Sequence, residues 1–262
     1  MDAPVAATED LIYSVEGGIA RITFNRAQAR NAMTFAMYER MAEICEAANT
    51  DHSIKAIILT GTGDKAFASG TDISQFRAFN TAQDALDYES RIDRVLTSLE
   101  TCRVPTIAAI AGACTGGGAG IAACCDLRIG TAATRMGFPI ARTLGNCLSL
   151  SSIARLSALI GPARVKEMIF TARLIETEEA RQLGLVSEVV APEALLARSD
   201  ELASTVASHA PLTLRATKMQ LRKLRPELPE DEQLILMCYQ SADFREGMDA
   251  FLAKRPPQWR GA

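Results

Sequence analysis

Histidine is scarce in this sequence, and its scarcity narrows the available chemistry. Only two histidines occur among 262 residues, His52 in a polar turn and His209 at the end of a predicted helix. Neither lies in a recognisable motif, so we assign both a local capping or surface role. The sequence therefore gives no support for a Ser-His-Asp triad.

Paired cysteine motifs are also missing. The seven cysteines form no C-x-x-C pair and have no histidine at a zinc-ligand spacing, although Cys124 and Cys125 are adjacent. We therefore expect no metal site. Several cysteines fall in apolar stretches, where a free thiol packs as a small hydrophobic side chain, and this pattern favours a reducing compartment.

A strong basic charge and a long apolar run are absent as well. The formal net charge is −3, which predicts no nucleic-acid partner, and the single basic cluster at residues 215–225 is expected to be solvated. Polar residues interrupt every stretch before the roughly 20 apolar residues of a membrane span, so we expect no membrane partner. The acidic first ten residues are unlike a signal peptide, and we predict a cytoplasmic protein.

A glycine-rich segment follows a predicted buried strand in the middle of the chain. Residues 105–111 read PTIAAIA and lead into Gly116, Gly117 and Gly118 and then a helix of small residues. Glycines let the main chain approach a ligand closely, and the amides that begin a helix carry the positive end of its dipole. We therefore expect an oxygen-rich or anionic group to bind backbone amides here.

Three kinds of site share this pattern. A phosphate-binding P-loop needs a Lys-Ser/Thr pair after its glycines, but Ala119 and Gly120 follow Gly118. A dinucleotide fingerprint lacks its acidic residue about 20 positions later. An oxyanion hole needs a second amide from another loop, and residues 66–73, which read AFASGTDI after another strand-like run, expose their backbone similarly.

Four separated motifs together resemble the crotonase superfamily, the enoyl-CoA hydratases and isomerases. They are NRAQARN at residues 25–31, FASGTDI at 67–73, GGG at 116–118 and REGMDAFLAKR at 245–255. The resemblance implies an α/β, crotonase-like fold of repeated strand-strand-helix turns with a C-terminal helical region. Its core at residues 1–191 would bind CoA and carry the oxyanion hole, whereas residues 192–262 would cover the active site and make oligomer contacts.

The resemblance also implies a substrate and its contacts. The substrate would be an acyl-CoA thioester, with coenzyme A as part of the substrate, no prosthetic group, and a homotrimer or dimer of trimers as the assembly. The backbone amides of Thr71 and Gly117 would form the oxyanion hole. Contacts with CoA are implied at Arg26, Gln28, Ala29, Arg30, Ala68, Ser69, Gly70 and Lys254. Lys254 matches a lysine that commonly reaches CoA from a neighbouring subunit, although it equally fits a basic helix end.

Two positions depart from the family pattern. The hydratases of the family place water with two glutamates, and the resemblance puts Gly120 and Ile140 at those positions. Two-carboxylate hydration therefore cannot be assigned to them. Three explanations stay open: a hydratase or isomerase whose acid-base group comes from another loop, an acyl-CoA decarboxylase or other crotonase-type enzyme, and a CoA-binding homologue without turnover.

Five side chains are candidates for the missing catalytic role, namely Asp72, Asp87, Glu89, Arg142 and Asn146. Asp72 abuts the expected oxyanion hole, although it equally fits a carboxylate that orders its own loop. Arg142 and Asn146 replace the segment around the second family glutamate, and an arginine suits a substrate carboxylate or enolate better than base catalysis. Asp87 and Glu89 lie on a predicted helix over residues 84–94, whose charged face we expect to be solvated.

The hydrophobic pattern predicts alternating strands and helices. Strands are predicted at residues 11–15 and 19–24, joined as a hairpin, and near residues 55–60, 105–111, 126–130 and 187–190. Helices are predicted at residues 161–169 and 176–184 and through most of the chain after Pro192. A stripe formed by Met33, Met37, Met41, Ile44 and Ala48 is interpreted as core packing.

Overall fold

The computed structural model describes residues 10–225 and 228–261; segment 1–9, on which the prediction about a signal peptide depends, lies outside them. The strands are β1 (Leu11–Glu16), β2 (Ile19–Phe24), β3 (Ala56–Gly61), β4 (Ala66–Ala68), β5 (Thr106–Ile110), β6 (Ala113–Thr115), β7 (Leu127–Thr131), β8 (Arg135–Gly137), β9 (Ile175–Glu176) and β10 (Glu188–Val190). The helices are α1 (Phe35–Thr50), α2 (Ala82–Glu100), α3 (Gly117–Cys124), α4 (Ile140–Thr143), α5 (Leu150–Phe170), α6 (Thr177–Gln182), α7 (Leu195–Ala207), α8 (Pro211–Lys223), α9 (Glu232–Tyr239) and α10 (Ala242–Leu252).

Six strands form the larger sheet, in the order β1-β2-β3-β5-β7-β10. β1 and β2 pair antiparallel as the predicted hairpin, and the other neighbours pair in parallel. The central strands β3 and β5 are buried almost throughout, as expected for a parallel sheet that is covered on both faces. The prediction of an α/β architecture is confirmed.

A second sheet contains four short strands in the order β4-β6-β8-β9. Its strands are not predicted from the sequence, because each has only two or three residues and few of these are the β-branched or aromatic residues that mark a strand. β4, β6 and β8 run parallel to one another. Their carboxyl ends therefore meet at one edge of this small sheet.

Hydrophobic clusters cover both faces of the larger sheet. The predicted methionine stripe lies in the main cluster, where Met33, Met37 and Met41 are fully buried. On the opposite face, Leu195 and Ala203 of α7 pack in a cluster with strand residues that include Ile58. Although α7 falls in the predicted C-terminal region, it thus contributes to the core; the division at residue 191 stays a prediction.

Two predicted helices are present with altered bounds. α5 already begins at Leu150, and Gly161, with φ 76° and ψ 153°, interrupts it just before Pro162. The predicted helix at residues 161–169 is therefore the second half of a longer, kinked element. α6 matches the predicted helix at 176–184, and Gly184 follows it with φ 74°.

The last two helices pack over α2 and the segment after β4. Ile235, Tyr239 and Phe244 form a cluster with Phe76 and Ala85. The C-terminal helices therefore make part of their apolar contacts with the core region of the same chain. In the described part of the chain, every helix is too short or too polar to span a bilayer.

Candidate active site

Three loops from the small sheet line one cavity of about 600 Å³. Residues 69–73 follow β4, residues 116–120 follow β6 and residues 138–140 follow β8. Because these strands are parallel, their carboxyl ends bring the three loops to the same edge. The sheet that the sequence analysis missed is thus the element that assembles the cavity.

Thr71 and Gly117 both line this cavity. Met33 N donates to the Gly70 carbonyl at 2.8 Å and Asp72 N donates to the Met33 carbonyl at 2.9 Å. In this parallel pairing the intervening Thr71 N–H points away from Met33. Gly117 is the first residue of α3, where a helix leaves its N–H groups without an internal acceptor. Among the described residues, neither amide donates a hydrogen bond to the protein.

Glycines allow the two loops to approach each other closely. A Cβ at Gly118 would lie 2.2 Å from the Ala68 carbonyl oxygen, and a Cβ at Gly116 would lie 3.3 Å from the Gly70 Cα. Gly70 itself has φ 109°, in the left-handed region that favours glycine. The loop that carries Gly117 therefore packs directly on the loop that carries Thr71.

Two tyrosines, the fully buried Tyr38 and the partly buried Tyr88, hold the Thr71 side chain. Thr71 Oγ1 shares hydrogen bonds with Tyr38 Oη at 3.0 Å and with Tyr88 Oη at 2.9 Å. Burial raises the pKa of Tyr38 to about 12 and that of Tyr88 well above its usual value. Both phenols are therefore neutral at ordinary pH, and they orient residue 71 from α1 and α2.

A family model and many known proteins match this chain over nearly its whole length. The family model for enoyl-CoA hydratase/isomerase matches residues 14–262. The chain belongs to the enoyl-CoA hydratase/isomerase family. The predicted resemblance to the crotonase superfamily is thereby confirmed.

Individual relatives cover nearly the whole chain. The short-chain-enoyl-CoA hydratase of Clostridium acetobutylicum is 33% identical over 251 residues, which are 94% of this chain and 95% of that protein. The crotonyl-CoA hydratase of Syntrophomonas wolfei is 32% identical over 254 residues, 95% and 97% of the two chains. The crystal structure of an enoyl-CoA hydratase/carnithine racemase from Magnetospirillum magneticum matches with a TM-score of 0.79 and 33% identity, covering 98% and 97%. The predicted crotonase-like fold is confirmed.

In this member of the enoyl-CoA hydratase/isomerase family, neighbouring groups bind the Asp72 carboxylate. Its carboxylate accepts hydrogen bonds from Ser74 N at 3.1 Å and from Arg26 Nη1 at 3.0 Å. Burial raises the pKa of Asp72, but the bonds from Ser74 and Arg26 outweigh burial and hold the pKa below its usual value. This geometry matches the loop-ordering role, since a carboxylate with a lowered pKa is a weak base.

The positions assigned to the family glutamates both line the cavity. They are Gly120 and Ile140, so carboxylates are absent from these two places. Asn146 also lines the cavity, and its Nδ2 donates to Tyr239 Oη at 3.3 Å. Its Oδ1 is buried and accepts no hydrogen bond from the described residues. Arg142 is exposed on α4 and is not among the described residues that line the cavity.

The residues predicted to contact CoA divide into two groups. Those that line the cavity are Gln28, Ala29, Arg30, Ser69 and Gly70. Those outside its lining, within the described chain, are Arg26, Ala68 and Lys254. Arg26 pairs with Asp72, Ala68 is buried in β4, and Lys254 lies in the turn after α10. Their role in binding CoA stays a prediction.

Glu89 departs from the expectation for α2. Asp87 is exposed, as predicted, but Glu89 is only 8% exposed and lines the cavity. Its carboxylate accepts a hydrogen bond from Tyr239 Oη at 2.5 Å. Burial raises the pKa of Glu89 to about 7, although the bond from Tyr239 lowers it in part.

A sequence signal for Glu89 does exist. Ala85, Glu89, Ile92 and Leu96 recur at the spacing of one helix face, and all of them except Glu89 are apolar. A single carboxylate on the apolar stripe of an amphipathic helix indicates burial. The other charges of residues 84–94 favour a solvated helix face, and they mask this signal at Glu89.

Proposed function

We propose that this family member binds an acyl-CoA thioester and holds its carbonyl oxygen between the backbone amides of Thr71 and Gly117. The observation that carries the proposal is the pair of cavity-lining amides that have no acceptor among the described residues. When a proton leaves the carbon next to the thioester, negative charge develops on this oxygen. A well-placed amide stabilises such charge by about 3 kcal/mol.

The cavity residues support binding of the rest of the substrate. Arg30 supplies a cation for the phosphates of CoA, and Gln28 and Ser69 supply polar groups beside it. Lys254 would contact CoA that is bound to a neighbouring subunit, in a homotrimer or dimer of trimers. The names of the relatives make short 2-enoyl thioesters the first substrates to test.

The alternative functions have weaker support. A decarboxylase would need a cation for a second carboxylate, but Arg142 lies outside the lining of the cavity in the described chain. A CoA-binding homologue without turnover would have no use for two amides that lack an acceptor among the described residues and that share a cavity with a buried carboxyl group. We therefore favour an enzyme that acts on enoyl-CoA thioesters.

The reaction can be identified with the purified protein. The protein is incubated with 2-enoyl, 3-enoyl and carboxyacyl thioesters of CoA. We expect it to convert at least one of the enoyl-CoA thioesters. Mass spectrometry detects addition of water or loss of carbon dioxide, and NMR detects a shift of the double bond. Unchanged thioesters, together with measurable CoA binding, would favour the non-catalytic homologue.

Thr71→Pro tests the amide itself. Proline has no N–H, so turnover should fall by about 10²–10³-fold, whereas the affinity for free CoA should persist. Thr71→Ser keeps both the amide and the hydroxyl that bonds Tyr38 and Tyr88, so its turnover should stay close to that of the wild type. Turnover preserved in Thr71→Pro would contradict the proposed oxyanion hole.

A further inference from the structure

We propose that Glu89 is the catalytic residue that transfers the proton at the carbon next to the thioester carbonyl, and that Tyr239 and Asn146 position it. This inference rests on the proposed function, because it requires a thioester held by Thr71 and Gly117. It also supplies the acid-base group that Gly120 and Ile140 cannot provide.

The carboxyl groups in the cavity differ in their surroundings. Among the described residues that line it, the carboxyl groups are those of Asp72 and Glu89. Asp72 is held by Arg26 and by Ser74, which favour its ionised form and weaken it as a base. Glu89 has no cationic partner among the described residues. It is therefore the carboxyl group best suited to gain and lose a proton.

A hydrogen bond connects α2 to the loop that carries the Thr71 amide. Tyr88, the residue before Glu89, bonds through its hydroxyl to Thr71 Oγ1 at 2.9 Å. This hydrogen bond ties the helix that carries Glu89 to the residue whose amide would hold the thioester oxygen. A movement of α2 at Glu89 would therefore also move Thr71.

Hydrogen bonds support one oxygen of the Glu89 carboxylate. Tyr239 Oη donates to Glu89 Oε1 at 2.5 Å and accepts from Asn146 Nδ2 at 3.3 Å. This chain of hydrogen bonds holds one oxygen of Glu89. The other, Oε2, accepts no hydrogen bond from the described residues, so it is the oxygen that would receive the proton.

The chemistry balances with a single carboxyl group. For a 3-enoyl thioester, the Glu89 carboxylate takes a proton from C2, and the electrons of that C–H bond form a dienolate with its charge on the thioester oxygen. Glu89, now a carboxylic acid, returns the proton to C4 as the double bond moves to C2–C3. No water, oxidant or second acid is consumed.

Glu89→Gln tests the proposal, and Asp87→Asn on the exposed face of the same helix is the matched control. On the thioester that the wild type converts, Glu89→Gln should lower kcat by at least about 100-fold, with the Kd for free CoA almost unchanged. Asp87→Asn should retain wild-type turnover. The exchange of C2 protons of hexanoyl-CoA in deuterium oxide, followed by NMR, should fall in parallel with kcat.

The outcomes separate the two proposals. If the wild type turns over and Glu89→Gln is equally active, Glu89 is not the proton-transfer residue but the proposed function stands. If the wild type converts no thioester and exchanges no C2 proton, the proposed function fails, and the role of Glu89 fails with it.

Tyr239→Phe distinguishes positioning from a merely structural role. The titratable groups that face Glu89 are Tyr38, Tyr88, Asp93, Cys147, Asp231 and Tyr239. Of these, Tyr239 donates the hydrogen bond that stabilises the carboxylate. Its removal should therefore shift the rising limb of the kcat profile to higher pH. A lowered kcat with an unshifted profile would overturn the positioning role of Tyr239.

Discussion

Replacing Glu89 with glutamine should stabilise this protein at pH 8 and change its stability little at pH 4. Burial raises the pKa of Glu89 in the folded protein from 4.5 to about 7. Between these values the folded state keeps a proton that the unfolded chain has lost. The free energy of unfolding therefore falls as the pH rises from about 4.5 to about 7. Glutamine does not ionise and removes this loss.

The size of the effect follows from the shift in pKa. A rise from 4.5 to about 7 corresponds to about 3 kcal/mol at a pH above both values. Glu89 is only 8% exposed, so screening by solvent reduces this figure little. The glutamine side-chain oxygen can still accept the hydrogen bond from Tyr239, which limits other changes in the site.

Urea unfolding followed by circular dichroism measures this effect without a substrate. Wild type, Glu89→Gln and the exposed control Asp87→Asn are compared from pH 4 to pH 8 at one protein concentration, because subunit association would add to the apparent stability. The advantage of Glu89→Gln should grow to about 3 kcal/mol at pH 8, while Asp87→Asn follows the wild type. An advantage that does not vary with pH would refute the reasoning, since Glu89 would then ionise as it does in water.

Two further predictions concern the loops that form the cavity. A Cβ at position 118 would lie 2.2 Å from a backbone carbonyl oxygen, whereas a Cβ at position 120 meets its nearest neighbour at 3.5 Å. Gly118→Ala should therefore lose about 1–3 kcal/mol of stability and roughly 100-fold in turnover, because the loop would be displaced by about 1 Å. The control Gly120→Ala should be as stable as the wild type or more stable. Equal unfolding midpoints and turnover for Gly118→Ala and the wild type would contradict the close approach of the two loops. Asn31 is fully buried, and its amide donates to two backbone carbonyl oxygens at 3.1 and 2.7 Å. Asn31→Asp places an oxygen against these carbonyl oxygens and should lower the free energy of unfolding in urea by about 2–4 kcal/mol. The exposed control Asn80→Asp should lower it little. An Asn31→Asp variant as stable as the wild type would show that the two hydrogen bonds contribute nothing to stability.

The sequence by itself determined the family and the larger sheet. β3 and β5 are continuous apolar runs, and the hairpin of β1 and β2 turns at adjacent glycines. The glycine triplet and the FASGTDI motif singled out the two segments whose loops line the cavity. These signals lie within short stretches of chain, where composition and spacing reflect local backbone requirements.

Only the tertiary structure revealed the small sheet and the surroundings of Glu89. Strands of two or three residues form by main-chain hydrogen bonds between distant segments, so their side chains carry too little pattern to predict them. Likewise, whether a helical glutamate is solvated depends on what packs over it. Here the partner is Tyr239, 150 residues further along the chain, and its contact with Glu89 converts a surface position into a buried one.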